Sequence, residues 1–320
     1  MPQVLTPADI KTAADRIAGR VRPVVLAARD HDPRDPAEVW FALEFLQHTG
    51  SFKARGALNF LRAHHEAGTL PDAGVTIASG GNAGLACAWA ARLQGIRATV
   101  FLPATAPAVK VARLRAYGAD VRLVGSAYAE ALAACEEFAR TTGALASHAY
   151  DHPLVAAGAG TLLGEILQRL PGLDTVIVSV GGGGLFAGVA TAAHHHGIRT
   201  VAVEPDHCRA LDAALAAGRP VDVTVDSVAA DALGAARVST AALHAARHYD
   251  VRTLTVPDAA IVRARRALWD DHRLAVEHAA ATALAGLAAY GPAAGEKVAV
   301  VLCGANTDPG DLAQTGGARS

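Results

Sequence analysis

The chain has 320 residues, of which 52% are hydrophobic and 18% are charged, so it can bury one or two substantial cores. This composition excludes a disordered chain and a fibrous repeat protein. The 29 basic residues nearly balance the 30 acidic ones, and this balance disfavours binding to nucleic acid or to an anionic membrane surface.

Apolar runs rich in β-branched residues alternate with helical patterns from about residue 39 onwards, which is typical of an α/β fold with a parallel sheet. In chain order, the predicted strands are residues 39–43, 75–79, 98–102, 121–124, 175–180, 200–204, 253–256 and 298–303. Five glycines follow helical patterns at the position of a left-handed C-cap: Gly68, Gly95, Gly118, Gly143 and Gly197.

The predicted βα units fall into two groups, and residues 1–37 are too few to form a domain of their own. We therefore predict a small domain of residues 38–146 and a large domain of residues 1–37 and 147–320. A ligand would bind between them, at the carboxyl ends of the strands.

The sequence also indicates where the protein resides. It predicts neither a membrane span nor a signal peptide, because charged or turn-forming residues interrupt every long apolar stretch and the amino-terminal segment is amphipathic. We expect a cytoplasmic protein. The four cysteines, Cys87, Cys135, Cys208 and Cys303, lack the spacing of a zinc site and are expected to be reduced thiols.

A candidate nucleophile lies where a strand ends and a helix begins, in Thr49–Ala57. Ser51 is the predicted N-cap, which places Lys53 in the first turn beside apolar Phe52. The helix dipole and the apolar neighbours disfavour an ammonium ion, so the pKa of Lys53 should be lowered and its amine nucleophilic. The other lysines, predicted to be solvated, are Lys11, Lys110 and Lys297. A Schiff base would thus use Lys53, although a solvent-facing lysine remains an alternative.

Two glycine-containing loops each follow a predicted strand and open a helix. In Ser79–Gly84, backbone N–H groups with the Ser79 hydroxyl and the Asn82 amide suit a carboxylate; the alternative is a tight turn that Asn82 caps. In Gly181–Leu185, four successive glycines have no packing value, which favours close approach to a phosphate.

The second loop also supports an alternative from a different class. Gly182 to Ala187 match a dinucleotide fingerprint, and Glu204 ends the next strand, where a ribose-binding acid would lie. A nicotinamide-dependent oxidoreductase would leave Lys53 without a function. Cys303, at the end of the last predicted strand, would face the same cleft or serve as a small buried hydrophobe.

Taken together, the segments resemble the serine/threonine dehydratase family of fold type II pyridoxal-phosphate enzymes, whose fold is like that of the tryptophan synthase beta chain. The resemblance runs from about Leu5 to Asp308. The segments that carry it are Ser51–Ala57, Ser79–Asn82, Gly181–Leu185, Ser227–Ala235, Glu277–Ala281 and Cys303–Asn306. It implies two open, twisted, mostly parallel sheets flanked by helices, with the active site in the cleft between them, and a homodimer.

The resemblance also implies roles for individual residues. Lys53 would hold pyridoxal 5'-phosphate as a Schiff base and exchange the Cα proton of an amino-acid substrate. The implied cofactor-binding residues are Phe52, Lys53, Asn82, Gly181, Gly182, Gly183, Gly184, Leu185 and Cys303. The implied residues for the substrate carboxylate are Ser79, Gly80, Asn82 and Ala83.

The implied reaction is the dehydration and deamination of L-serine or L-threonine to pyruvate or 2-oxobutyrate and ammonia. Cys303 would face the pyridine nitrogen, and a thiol there makes the ring a weaker electron sink than a carboxylate would, which favours prompt loss of the β-hydroxyl. Gly80 stands where racemases have a proton-exchanging serine, so racemisation is disfavoured. β-Replacement, another substrate such as hydroxyaspartate, and a binding protein without turnover stay open, and so does a divalent metal beyond Glu204.

Overall fold

The computed structural model describes residues 4–30 and 37–313, which form two sheets flanked by helices. The strands are β1 (Leu26–Ala28), β2 (Glu38–Ala42), β3 (Val75–Ala78), β4 (Ala98–Leu102), β5 (Asp120–Leu123), β6 (Leu145–Ala146), β7 (Thr175–Ser179), β8 (Arg199–Pro205), β9 (Val251–Val256) and β10 (Lys297–Val301). The helices are α1 (Pro7–Ile17), α2 (Lys53–Glu66), α3 (Asn82–Leu93), α4 (Ala108–Ala116), α5 (Tyr128–Thr142), α6 (Pro153–Arg169), α7 (Gly184–His195), α8 (Ala210–Ala217), α9 (Ala230–Leu233), α10 (Thr240–His248), α11 (Asp258–His272), α12 (His278–Tyr290) and α13 (Gly310–Ala313).

The larger sheet has six strands in the order β1-β2-β10-β7-β8-β9, and the smaller has four in the order β5-β4-β3-β6. Every neighbouring pair is parallel except β1 with β2. The central strands β3, β4 and β7 are buried along their whole length, as expected when helices cover both faces of a parallel sheet. The predicted fold class is confirmed.

Helix α2 connects the two halves of the molecule. Its Leu58, Phe60 and Leu61 belong to the core of the smaller sheet, whereas its amino terminus lies against the end of β10 in the larger sheet. Helix α6 packs along α2 and α7. The residue that begins α2 therefore sits at the junction of the two groups.

All eight predicted strands are present, and the five C-cap glycines have positive φ angles. Strand β2 differs from the predicted division of the chain, since residues 38–42 pair with β10 in the larger sheet. Sequence order does not reveal such a crossover. The division into two domains itself stays a prediction.

None of the helices in residues 4–30 and 37–313 combines the length and apolar character needed to cross a bilayer. The four cysteines are buried and form no disulfide, in agreement with the expected thiols.

Candidate active site

Lys53 is the first residue of α2, and the chain before it is fixed to the exit of β10. The Phe52 N–H donates to the Cys303 carbonyl at 3.0 Å, and Ser51 forms an antiparallel bridge with Gly304. These backbone contacts place the start of α2 at the carboxyl end of the larger sheet.

The predicted capping role of Ser51 is wrong. Phe52 immediately precedes α2, and none of the side chains that the structure describes caps the helix. Ser51 is extended because it pairs with Gly304, and within residues 4–30 and 37–313 its buried hydroxyl has no hydrogen-bond partner. The pairing across 253 positions of sequence could not be read from the local pattern.

The Lys53 amine lies in a largely enclosed position. Its Nζ donates to the Ala149 carbonyl at 2.6 Å and lies 5.0 Å from the centre of the Phe52 ring. Burial lowers the pKa of Lys53 from 10.5 to about 8, although the neighbouring Cys303 and Glu277 act to raise it. The lowering agrees with the sequence prediction, with burial as its main cause, and it gives the amine a sizeable neutral fraction near neutral pH.

Two adjoining cavities meet at Lys53: a narrow inner cavity and an outer cavity of about 500 Å³. The inner cavity is lined by every residue predicted to bind the cofactor: Phe52, Lys53, Asn82, Gly181, Gly182, Gly183, Gly184, Leu185 and Cys303. The outer cavity is lined by every residue predicted to hold the substrate carboxylate: Ser79, Gly80, Asn82 and Ala83. The structure thus brings all of these residues together, while their roles stay predictions.

The glycine turn after β7 exposes backbone to the inner cavity. Gly183 has a φ of 90° and precedes α7, whose first N–H groups have no acceptor within the helix. Such a helix start attracts an anion. Packing also requires these glycines, because a Cβ at Gly182 would lie 2.3 Å from the Tyr150 ring and one at Gly183 would lie 2.4 Å from Ala242 Cβ. The prediction that they have no packing value is therefore wrong.

The loop after β3 turns tightly into α3. A Cβ at Gly84 would lie 1.8 Å from the Ser79 carbonyl oxygen, so only glycine allows this turn. Gly81 precedes the helix without a side-chain cap. The alternative in which Asn82 caps the turn does not hold, because its carboxamide has other partners.

Asn82 connects Glu277 to Asn306. Its Nδ2 donates to both carboxylate oxygens of Glu277, at 2.9 and 3.1 Å, and its Oδ1 accepts from Asn306 Nδ2 at 2.6 Å. Burial raises the pKa of Glu277, while the hydrogen bond from Asn82 acts to lower it. The amide of Asn82 is therefore held on two sides at the point where the cavities meet.

Cys303 lies in the inner cavity and is only 2% exposed. Its Sγ is 3.6 Å from Ser179 Oγ, and burial raises the pKa of the thiol to about 12. The thiol is therefore neutral at physiological pH. Both predicted environments apply, since Cys303 is buried and also faces the cleft.

Some residues of the site were missed by the sequence reasoning. Tyr150 lines both cavities, and no local motif marks it. Glu277 begins one of the segments that carry the family resemblance, but no role was predicted for it, and it lines the inner cavity. Lys110 was predicted to be solvated, but it lines the outer cavity and its Nζ lies 2.6 Å from Asp231 Oδ1.

Glu204 does not have the role that the nicotinamide alternative requires. Its carboxylate is 2% exposed and accepts the N–H groups of Leu211 and Asp212 at 2.7 and 2.9 Å, at the start of α8. Burial raises its pKa to about 7.

As for a metal, the part of the chain that the structure describes contains no group of three or more His, Cys, Asp or Glu side chains arranged to hold an ion.

Residues 18–304 match the family model described as pyridoxal-phosphate dependent enzyme. The chain belongs to this family. This membership removes the nicotinamide alternative and confirms pyridoxal 5'-phosphate as the cofactor. The residues of the inner cavity fit that group, since they combine an amine of lowered pKa, a glycine-lined helix start for a phosphate and a neutral thiol.

Similar proteins of this pyridoxal-phosphate family include lyases and racemases. An L-threonine ammonia-lyase from Geobacter sulfurreducens is 37% identical over 87% of this chain and 69% of its own length. A serine dehydratase-like protein from Mus musculus is 35% identical over 84% of this chain and 85% of its own length. The structure of maize serine racemase superposes with a TM-score of 0.89 at 30% identity, over 97% of this chain and 96% of that one. The chain spans about half the length of some other curated relatives.

Proposed function

We propose that the protein is a pyridoxal-phosphate-dependent ammonia-lyase that converts L-serine or L-threonine to pyruvate or 2-oxobutyrate and ammonia. The observation that carries the proposal is the position of the Lys53 amine. It lies where a glycine-lined cavity suited to the cofactor meets a second cavity lined by the Ser79–Ala83 loop. Family membership and the dehydratase relatives support the same reaction.

Pyridoxal phosphate, when bound, withdraws electrons from the Cα of an attached amino acid and so acidifies the Cα proton. Lys53 provides the amine that holds the cofactor. Once the substrate is bound, Lys53 would be the group that removes the Cα proton, because its lowered pKa leaves part of it neutral.

The loops after β7 and β3 would each bind one anionic group, the phosphate of the cofactor and the carboxylate of the substrate. The start of α7, at Gly181–Leu185, would bind the phosphate through backbone N–H groups. The start of α3 would bind the substrate carboxylate through Ser79 and the N–H groups of Gly80 to Ala83. Substrate Cα would then lie between these loops, near Lys53.

Cys303 directs the outcome after proton removal. If the ring nitrogen lies beside Cys303, as the family resemblance implies, the neutral thiol would supply little stabilisation to a positive ring and so disfavour a long-lived negative charge at Cα. The electron pair of the broken Cα–H bond would form a double bond to Cβ, and the β-hydroxyl would leave as water with the proton that Lys53 returns. The released enamine then hydrolyses to the 2-oxo acid and ammonia.

Racemisation is a minor alternative in view of the racemase neighbour. It needs a second base on the opposite face of Cα, and Gly80 supplies none. A Cβ at Gly80 would also lie 2.6 Å from Leu102 Cδ2, so a serine there would require Leu102 to move.

The charges of the outer cavity favour a substrate with a neutral side chain. Lys53 and Lys110 are the cationic side chains among the described residues that line it, and Lys110 is paired with Asp231. A β-carboxylate, as in hydroxyaspartate, would have to displace Asp231 from Lys110 or pair with the catalytic amine. Serine and threonine need no such partner.

The test is an assay of 2-oxo acid and ammonia with a panel of β-hydroxy amino acids. We expect both products from L-serine or L-threonine, and we expect Lys53→Ala to lose at least about a thousandfold in kcat because no other side chain replaces its amine. Lys297→Ala is the matched control, since Lys297 begins β10 away from both cavities. A new amino acid formed only with an added nucleophile would instead show β-replacement, and cofactor binding without either product would show a protein without turnover.

We also propose that the protein is a cytoplasmic homodimer, as the family resemblance implies. Light scattering of the cofactor-loaded protein tests the oligomeric state. A mass equal to twice the 32.7 kDa chain would support the dimer, and the monomer mass would contradict it.

A further inference from the structure

We propose that Asn306 and Arg113 are positioning residues, which hold the Asn82 carboxamide so that one of its N–H bonds points to the bound cofactor. The inference rests on the proposed function, because it concerns the same site. It assigns a task to two side chains for which the sequence predicted none.

Asn82 offers one hydrogen-bond donor to a ligand. Its Nδ2 donates to both oxygens of the Glu277 carboxylate, and these oxygens subtend too small an angle at the nitrogen to engage both of its hydrogens. Its Oδ1 is taken by Asn306. The second Nδ2 hydrogen has no acceptor among the residues that the structure describes, and Asn82 lines both cavities.

The orientation of this amide has to be fixed by its neighbours. A carboxamide can exchange its nitrogen and oxygen by a half-turn at almost no steric cost, so only hydrogen-bond chemistry selects one state. Glu277 is the weaker selector, because a carboxyl group accepts or donates according to whether it carries a proton, whereas a carboxamide has a fixed donor end and a fixed acceptor end.

Asn306 selects one of the two orientations of the Asn82 carboxamide. Its Nδ2 donates to the Thr49 carbonyl at 2.7 Å, and its Oδ1 accepts from the Arg113 guanidinium. A carbonyl can only accept and a guanidinium can only donate, so turning Asn306 over would oppose like groups at both contacts. Asn306 therefore has one stable orientation whatever the protonation state of Glu277, and in that orientation it donates to Asn82 Oδ1.

The backbone next to Asn306 adopts the conformation that its hydrogen bonds require. Thr49, whose carbonyl is the acceptor, has a φ of 63°, and a non-glycine residue held there is strained. A Cβ at Gly50 would lie 2.8 Å from Asn306 Oδ1. Arg113 belongs to α4, which packs with the smaller sheet, and Asn306 follows β10 of the larger sheet. The orientation of Asn82 thus depends on contacts from both groups.

The experiment compares Arg113→Met with Arg115→Met, a control on an exposed position of the same helix. The readouts are the dissociation constant of pyridoxal phosphate and the visible absorbance band of the bound cofactor. We expect Arg113→Met to weaken cofactor binding about tenfold, equivalent to about 1.4 kcal/mol, and to shift the band. Arg115→Met should match the wild type in both readouts.

Asn306→Asp provides a second, nearly isosteric test, because it replaces the donor by an oxygen that can only accept. It should weaken cofactor binding more than Arg113→Met does, at an unchanged far-ultraviolet circular dichroism spectrum. Wild-type affinity and band position in both variants would overturn the inference while leaving the proposed function intact. A wild-type protein that takes up no pyridoxal phosphate would overturn the proposed function, and the inference with it.

Discussion

Lys53 is half-buried and Cys303 is buried, and the loss of hydration shifts their pKa values in opposite directions. It lowers the pKa of the amine to about 8 and raises that of the thiol to about 12. In each case the neutral form is favoured, because a charge inside the protein loses its hydration. A neutral amine can act as nucleophile and base, and a neutral thiol would leave the ring nitrogen without a strong counter-charge if Cys303 faces it as proposed.

The lowered pKa of Lys53 predicts the pH dependence of cofactor uptake by the cofactor-free protein. Only the neutral amine attacks the aldehyde, and with a pKa of about 8 its fraction rises about fivefold from pH 7 to pH 8. The initial rate of uptake, followed by visible absorbance, should rise by that factor and level off above pH 9.

A lysine peptide with an ordinary pKa is the control, and its rate should keep rising to about pH 10. If the protein followed the peptide over the whole range, the amine would be solvated, and burial could not be the cause of its reactivity.

At the scale of an element, the start of α2 is held by a buried ion cluster. Arg55, fully buried, donates to Glu44 from Nε and to Glu165 from Nη1, the latter at 2.6 Å. These partners come from the chain before α2 and from α6. Since Arg55 lies only two positions after Lys53, the cluster holds the backbone from which the Lys53 side chain extends.

Arg55→Met should therefore destabilise the protein strongly. Removing the cation leaves the buried carboxylate of Glu44 and the half-buried carboxylate of Glu165 without their partner, which costs about 3–5 kcal/mol of the free energy of unfolding, measured by urea denaturation. Arg62→Met on the same helix is the control, because its ion pair with Glu66 is partly exposed and contributes about 1 kcal/mol at most. Equal losses for the two variants would show that the Arg55 cluster has no special part in holding α2.

At the scale of the whole molecule, the site exists because strands distant in sequence end at the same cleft. The loops after β3, β7 and β10 supply Ser79, the glycine turn and Cys303. The ion pair of Lys110 with Asp231 bridges α4 and α9 across the outer cavity. Its side chains are 35% and 69% exposed, so the pair is weak and can open at little cost.

Sequence alone predicted what local patterns encode. The alternation of strands and helices, the C-cap glycines and the residues of the two loops all follow from short-range chemistry. The strands β1 and β6 were missed because they have only three and two residues. Their pairing is decided by the neighbouring strands and not by a β-branched run of their own.

Contacts between distant segments were the other part that the sequence left open. Residues 38–42 were assigned to the smaller group, although they pair with β10. Lys110 was predicted to be a solvated charge. Its ion-pair partner Asp231 lies 121 positions away, so the local pattern could not reveal the pair. Tyr150 carries no motif, and its place against Gly182 appears only once α6 and α7 are packed together.

The central claim is that pyridoxal phosphate is joined covalently to the amine of Lys53. Borohydride reduction of the purified protein, followed by proteolysis and peptide mass mapping, tests it most directly. We expect the mass of the reduced cofactor on the peptide that contains Lys53 and on no other lysine. Finding the added mass on Lys11, Lys110 or Lys297, or finding none on a protein saturated with the cofactor, would contradict the claim.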